Sequence, residues 1–295
     1  MIAPLIANAA GETLPDALEQ AAARHGTREF LVIGRRDEVL SYADLADRAE
    51  RLAAVLRAQG ACPGDRIALW MTNRADWPVA AFAIARLGCV LVAVSTRLTG
   101  REAAHVIGLT QARFILMEDM FLGRIDALPI LEETLAALAG QGGRSPQTVL
   151  LGGSRAVPED FVDWSAEIAG ADPGILPPAD ALMQEAAERD ADLAGVAAIL
   201  MTSGTTGAPK GVMLTHDGLL RLARGVADRQ ALAPGERFYS IAPFFHCSGL
   251  MHGLLTNLVA GSTYFAPNAY SPDETRDVIR TERIPAYHGF IDPLQ

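Results

Sequence analysis

The chain predicts an α/β fold, built of layered, mixed but largely parallel sheets with helices on both faces. Three observations predict it. Amphipathic helical stretches alternate with short apolar runs through most of the sequence, which is the pattern of strands joined by crossover helices. Several of those runs, Val90–Val94 among them, are apolar at every position and not at alternate ones, as strands covered on both faces must be. Half of the residues are hydrophobic and only 20% are charged, enough apolar material for a large core.

In chain order, the first helix is expected over Leu14–Arg24. Ser41, with Asp44 three residues on, caps the next. Leu45, Ala49, Leu52 and Leu56 then form one apolar face, and Gly60 stops the helix. A strand at Arg66–Met71, a helix after Asp76 and a strand at Val90–Val94 follow, then a helix over Glu102–Leu109 and a strand at Arg113–Met117. Trp77–Val94 is nearly all apolar, but Arg86 lies in its middle and Gly88 follows. A membrane span of about 20 apolar residues has no central charge, so this segment reads as a buried helix, turn and strand. Residues 140–144 and 170–178 are rich in Gly and Pro and read as loops joining two sub-domains.

From Val196 the alternation resumes. Ile199–Met201 ends one strand and Val212–Leu214 belongs to another; a helix follows His216, which reads as a helix N-terminal residue without a chemical role. A strand at Phe238–Ile241, a helix after His246, a strand at Ser262–Phe265 and a helix capped by Ser271 complete the series. The expected division is a first α/β sub-domain over residues 1–190, loop-rich at its end, and the start of a second over 191–295.

Charge and cysteine usage narrow the function. Lys plus Arg is 25 against 35 for Asp plus Glu, a net charge of −10 with no basic stripe, which argues against nucleic-acid and anionic-membrane partners. The Arg35–Arg36 pair reads as a solvated turn. Cys62, Cys89 and Cys247 are too widely spaced for a disulfide framework or a zinc site, and the first basic residue is Arg24, so no secretory leader is expected. A cytoplasmic protein without an integral membrane segment is the expectation; the sequence is compatible with an oligomer.

The most informative stretch lies between the two central strands. Thr202, Ser203, Gly204, Thr205, Thr206, Gly207, Ala208, Pro209, Lys210 and Gly211 bring three glycines, four hydroxyls and one ammonium into ten residues. Glycines let backbone N–H groups turn toward an anion, hydroxyls add rotatable donors, and Lys210 adds a point charge, a set suited to a polyphosphate. The nucleotide loop GxxxxGK[ST] does not fit. Pro209 precedes Lys210, Gly211 follows it, and a strand comes next where that loop would open a helix. His246 and His252 have no carboxylate or thiol at ligand spacing, so no metal site is expected.

At these residues the chain resembles the adenylate-forming superfamily of acyl-CoA synthetases, luciferases and peptide-synthetase adenylation domains. Thr202–Gly211 (TSGTTGAPKG) resembles its phosphate loop, and Ala242–Leu250 (APFFHCSGL) resembles its aromatic–His segment. Asn73–Thr99 is similar to its early helix–strand unit, and the likeness runs from about Leu14 to the end. The resemblance implies the N-terminal part of the adenylate-forming fold. It implies that Thr202, Ser203, Gly204, Thr205, Thr206, Gly207 and Lys210 hold the β- and γ-phosphates of ATP, that His246 borders and gates the acyl pocket as the catalytic-site histidine, and that Ser248 lines that pocket. The reaction implied is acyl-CoA formation through acyl-AMP on fatty or related carboxylic acids, using ATP, Mg2+ and coenzyme A. The family's Tyr-Gly-x-Thr-Glu motif, ribose-binding Asp and C-terminal Lys domain have no counterpart in these residues. The chain is therefore expected to be a fragment that makes no thioester alone. The alternative is a catalytically inactive nucleotide-binding or scaffold fragment.

Overall fold

A computed structural model describes residues 11–140, 146–153, 157–202 and 209–288. The order is α1 (Leu14–His25), β1 (Glu29–Ile33), β2 (Glu38–Ser41), α2 (Tyr42–Ala58), β3 (Arg66–Trp70), α3 (Asp76–Arg86), β4 (Val90–Ala93) and α4 (Gly100–Thr110). Then come β5 (Phe114–Glu118), a small hairpin of β6 (Met120–Phe121) and β7 (Ile125–Asp126), α5 (Leu128–Gly140), β8 (Thr148–Gly152), β9 (Val162–Asp163), α6 (Trp164–Gly170) and α7 (Ala179–Arg189). The last third holds β10 (Val196–Thr202), β11 (Lys210–Thr215), α8 (His216–Arg229), β12 (Arg237–Ser240), a π-helix (Ser248–Leu255), α9 (Thr256–Ala260), β13 (Thr263–Ala266), α10 (Pro272–Thr281) and β14 (Ala286–His288).

The helix starts follow their capping chemistry. Thr13, Ser41 and Thr99 each accept from the backbone N–H three residues on, and the acidic side chains of Asp16, Asp44 and Glu102 reach back to them. Between α3 and β4 the chain turns at Gly88, whose φ of +66° suits glycine and where Leu182 of α7 lies close against the backbone. The apolar segment around it is a buried helix, turn and strand. Its Arg86 bonds Glu50 at 2.6 Å and the Pro177 carbonyl at 2.9 Å. No helix among the described residues is long and apolar enough to cross a membrane.

Two sheets carry the fold. The larger has the order β11-β10-β4-β3-β5-β8-β9 and the smaller β14-β12-β13-β1-β2. Pairing is parallel except at β10–β11 and β1–β2, which close one edge of each sheet. Side chains alternate along the strands as a period of two requires. Ile67, Leu69, Leu91 and Ala93 of the larger sheet and Leu31 and Ile33 of the smaller face a shared core filled by α1, α2, α3, α8 and the π-helix. Ala68, Trp70, Val90 and Val92 face α4 and α5, while Val32, Tyr239 and Phe265 face α10. The result is five layers, with helices on both faces of both sheets.

The structure adds three features to the sequence reading. Between the two Gly/Pro-rich segments, β8 and β9 extend the larger sheet and α6 packs beside them. Strands from before and after residue 190 share both sheets: β10 and β11 join β4, β3, β5, β8 and β9, and β1 and β2 join β13, β12 and β14. The helix after His246 begins as a π-helix, its looser turn marked by the Thr256 hydroxyl bonding Met251 O five residues back at 2.7 Å. Arg35 and Arg36 are exposed, as a turn pair should be, and bond the carboxylates of Asp277, Glu29 and Glu282.

Candidate active site

The parallel strands of both sheets release the chain at their carboxyl ends, where ligands of open α/β sheets bind. A cavity of about 700 Å³ opens there between the sheets. Thr72 and Asn73 follow β3, Thr96 to Gly100 follow β4, Ile241 to Phe245 follow β12, and Pro267 to Tyr270 follow β13. All four turns contribute to its wall. Leu98, Ile125, Ile130, Ile241 and Phe245 give it apolar surface. At the wall, Arg97 and Arg124 are exposed, and neither guanidinium has an ion pair among the described residues. A second cavity, of about 780 Å³, lies among α1, α2 and the approach to α7, away from the strand ends.

Asn73 fixes the geometry of the first cavity. Its Nδ2 donates to Ala242 O at 3.1 Å, its Oδ1 accepts from Phe244 N at 2.8 Å, and its own carbonyl accepts from Asn268 Nδ2 at 3.2 Å. Asn73 thereby ties the β3 turn to the turn after β12 through its side chain and to the turn after β13 through its backbone carbonyl. Beneath it, buried Glu118 at the end of β5 accepts from Thr72 N at 2.7 Å, Thr72 Oγ1 at 2.6 Å and Arg74 at 3.2 Å. Burial pushes the Glu118 carboxyl above its ordinary value, and the Thr72 and Arg74 donors pull it back. Arg74 also bonds Asp76 at 2.6 Å, and Asp76 is paired with Arg48. This charged network makes the floor rigid.

The aromatic–His segment turns sharply. His246 N donates to Pro243 O at 3.0 Å, and the π-helix starts two residues later. Gly249 lies so close to the Pro243 carbonyl that a Cβ there would collide with backbone atoms, so glycine is the residue this turn admits. His246 is exposed, with Nδ1 3.1 Å from Ser248 Oγ, 3.3 Å from Ser248 N and 3.5 Å from Cys247 Sγ. Ser248 is buried at 9% exposure. Phe245 and Pro243 line the cavity, whereas His246 and Ser248 sit beside it.

Thr202 ends β10 and Lys210 begins β11. They are register partners, Thr202 Oγ1 donates to Lys210 O at 3.3 Å, and both are exposed. Ser203, Gly204, Thr205, Thr206 and Gly207 lie outside the described residues. Because β10 pairs in parallel with β4, the hairpin springs from the same edge as Thr96 and Arg97. The hairpin belongs to the larger sheet and the His246 segment follows β12 of the smaller, and no hydrogen bond or ion pair joins Lys210 to His246 among the described residues. His216 opens α8 directly after β11. It is buried, and its Nδ1 accepts from Leu14 N at 3.2 Å, a structural joint between α8 and α1. Among the described residues no three His, Cys, Asp or Glu side chains converge on a point that could hold a metal ion.

Sequence reading missed Asn73, Arg97, Arg124 and Glu118. A polar pair, Thr72–Asn73, directly following an all-apolar strand was the available signal for Asn73. For the arginines nothing in the sequence separated them from other exposed cations.

The chain has relatives among known proteins. The chain is 30% identical over 277 residues to a methyl-dioxo-octahydroindenyl propanoyl:CoA ligase of Rhodococcus jostii, covering 94% of this chain and 52% of that protein. It is 31% identical over 285 residues to the acyl-CoA ligase sidI of Aspergillus fumigatus, covering 94% and 46%. The chain thus spans about half the length of these relatives. Among solved structures, an anthranilate CoA ligase in complex with anthranoyl-AMP shares the fold with a TM-score of 0.76 at 18% identity, over 92% of this chain and 48% of that one. The AMP-binding enzyme family model matches residues 18–290. With nearly its whole length inside that match, the chain belongs to the AMP-binding enzyme family.

Proposed function

We propose that this chain supplies the phosphate-gripping and acyl-facing half of an ATP-dependent carboxylate–CoA ligase. The observation that carries the reading is the Thr202–Lys210 hairpin, set at the carboxyl edge of the larger sheet beside the apolar-walled cavity. The relatives named for CoA ligation, and the solved ligase holding an acyl adenylate, support the same chemistry.

In this reading a carboxylate attacks the α-phosphate of ATP, forming an acyl–AMP bond and releasing pyrophosphate. A coenzyme A thiolate then forms the thioester as AMP leaves. Two anions must meet in the first step, so the catalytic demand is for positioning and charge neutralisation. Lys210, with Thr202, Ser203, Gly204, Thr205, Thr206 and Gly207, neutralises and orients the β- and γ-phosphates. The apolar wall formed by Leu98, Ile130, Ile241 and Phe245 accommodates the carbon chain of a fatty or related acid. Arg97 and Arg124, which have no ion pair among the described residues, offer anchoring for phosphate groups of the nucleotide or coenzyme at the mouth. The described residues present no donor set for magnesium, and no step is assigned to it.

Lys210→Ala tests the reading. In the ligase, removing this donor should lower pyrophosphate release by about 10²–10³ while leaving the melting temperature nearly unchanged, since Lys210 is exposed and has no ion pair among the described residues. Trapping of acyl-AMP with hydroxylamine over a panel of carboxylates reads the same step. Unchanged pyrophosphate release in the variant would remove the phosphate role. Nucleotide binding without adenylate formation by the parent would favour an inactive nucleotide-binding protein.

A further inference from the structure

The His246 ring has two nitrogens, and its surroundings treat them differently. Ser248 N lies 3.3 Å from Nδ1 in hydrogen-bonding geometry. A backbone N–H can only donate, so Nδ1 must present its lone pair. Ser248 Oγ, 3.1 Å from the same nitrogen, then donates as well. The Cys247 thiol sulfur is 3.5 Å from Nδ1 and 4.0 Å from Nε2, and a thiol is only a weak donor. Among the described residues no other side chain forms a hydrogen bond or ion pair with the ring. Pro243 and Gly249 hold the backbone on either side of this turn, so the geometry does not depend on one mobile side chain.

We propose that Ser248 is a positioning residue that holds neutral His246 in the tautomer with its proton on Nε2. His246 then meets its ligand as a hydrogen-bond donor. What it recognises is an oxygen acceptor, a carboxylate or acyl-phosphate oxygen of the acyl substrate, and it does not serve as the base that takes a proton from the thiol. The choice of ligand rests on the ligase reading above; the tautomer does not.

Nitrogen-15 NMR of the imidazole rings in the chain at about pH 8, above the ordinary imidazole range, separates the two. The His246 signals are identified by their loss in His246→Gln. The parent is expected to show a pyridine-like Nδ1 and a pyrrole-like Nε2. In Ser248→Ala the loss of one neutral hydrogen bond should lower the ratio of the Nε2–H to the Nδ1–H form about fivefold. Ser248→Thr, which keeps the hydroxyl, should restore the ratio, and Cys247→Ala should leave it unchanged. Melting curves confirm that each variant is folded. A protonated Nδ1 in the parent, no change in Ser248→Ala, or a shift produced by Cys247→Ala instead would each overturn the assignment, whether or not the protein makes acyl adenylate.

The second arm tests the ligand. Addition of a carboxylate substrate with ATP should move the Nε2 proton resonance and leave Nδ1 pyridine-like. Movement of the proton to Nδ1, or onto both nitrogens, would mean that His246 accepts a proton and would overturn its donor role. An unmoved spectrum with the Ser248→Ala result intact would overturn the substrate contact and the ligand choice, while the tautomer stands.

Discussion

Acid should loosen the joint between α8 and the N-terminal helix α1 through a single imidazole. His216 is 4% exposed, opens α8 immediately after β11, and accepts from Leu14 N through Nδ1. Burial lowers its pKa from 6.5 to about 4, with a partial opposing pull from the Asp16 carboxylate. Below pH 6.5 the unfolded chain binds a proton at this residue that the folded protein refuses. The unfolded state then holds more protons, so stability falls as pH drops through the window between 6.5 and about 4. The whole shift corresponds to about 3 kcal/mol, of which about 2 kcal/mol should be lost between pH 7 and pH 5.

His216→Asn keeps an acceptor near the Nδ1 position and removes the titration. Urea unfolding of parent and variant at pH 7 and pH 5 isolates the effect, because every other titrating group is common to both. The parent should lose about 2 kcal/mol more than the variant over that interval. Equal losses would show that His216 is not held neutral and that the α1–α8 joint is insensitive to its charge.

Two further substitutions probe the walls of the cavity. Asn73→Ala strands the Ala242 carbonyl and the Phe244 N–H, two buried groups at about 1–3 kcal/mol each; urea unfolding should show a loss of about 2–5 kcal/mol, and retention of parental stability would mean other donors replace the amide. Gly249→Ala forces a Cβ against the Pro243 backbone and should cost about 1–3 kcal/mol with an altered His246 imidazole spectrum, whereas an unchanged spectrum would show that the turn does not depend on this close approach.

Elements with local causes were legible in the sequence. Ser41 with Asp44, Ser271, and the apolar stripe of Leu45, Ala49, Leu52 and Leu56 act within a few residues, and the helices stand where those signals put them. The hairpin strands were legible for the same reason, since the apolar runs at Ile199–Met201 and Val212–Leu214 flank one short turn segment. What could not be read depends on partners far apart in the chain. The order β10 beside β4 follows from sheet assembly, and the Asn73–Ala242 bond joins residues 169 apart. The π-helix was hidden because its apolar pattern is compatible with an ordinary helix. The backbone N–H of Thr256, which reaches back five residues to Met251 O, marks the wider turn, and nothing in the local residue types announces it.

The same separation shapes how the site can work. Thr202 and Lys210 stand at the facing ends of β10 and β11, where β11 pairs only with β10 among the described residues and its first residues are exposed. The groups suited to orienting a substrate sit on buried turns cross-linked by Asn73, Asn268 and the Glu118–Arg74 network. Exposed strand ends such as Thr202 and Lys210 can adapt around a ligand that arrives and departs, because few buried contacts hold them. A pocket wall that must align one carbonyl with one phosphorus cannot move freely, since misplacement of reacting atoms by about 1 Å costs on the order of 10²-fold in rate. Under the proposed function, the leaving pyrophosphate would meet adaptable contacts and the nucleophile fixed ones. On this reasoning Asn73→Ala should impair adenylate formation even at saturating ATP, and Lys210→Ala should impair it at saturating carboxylate. Loss of ATP affinity alone in the Asn73 variant would contradict that division.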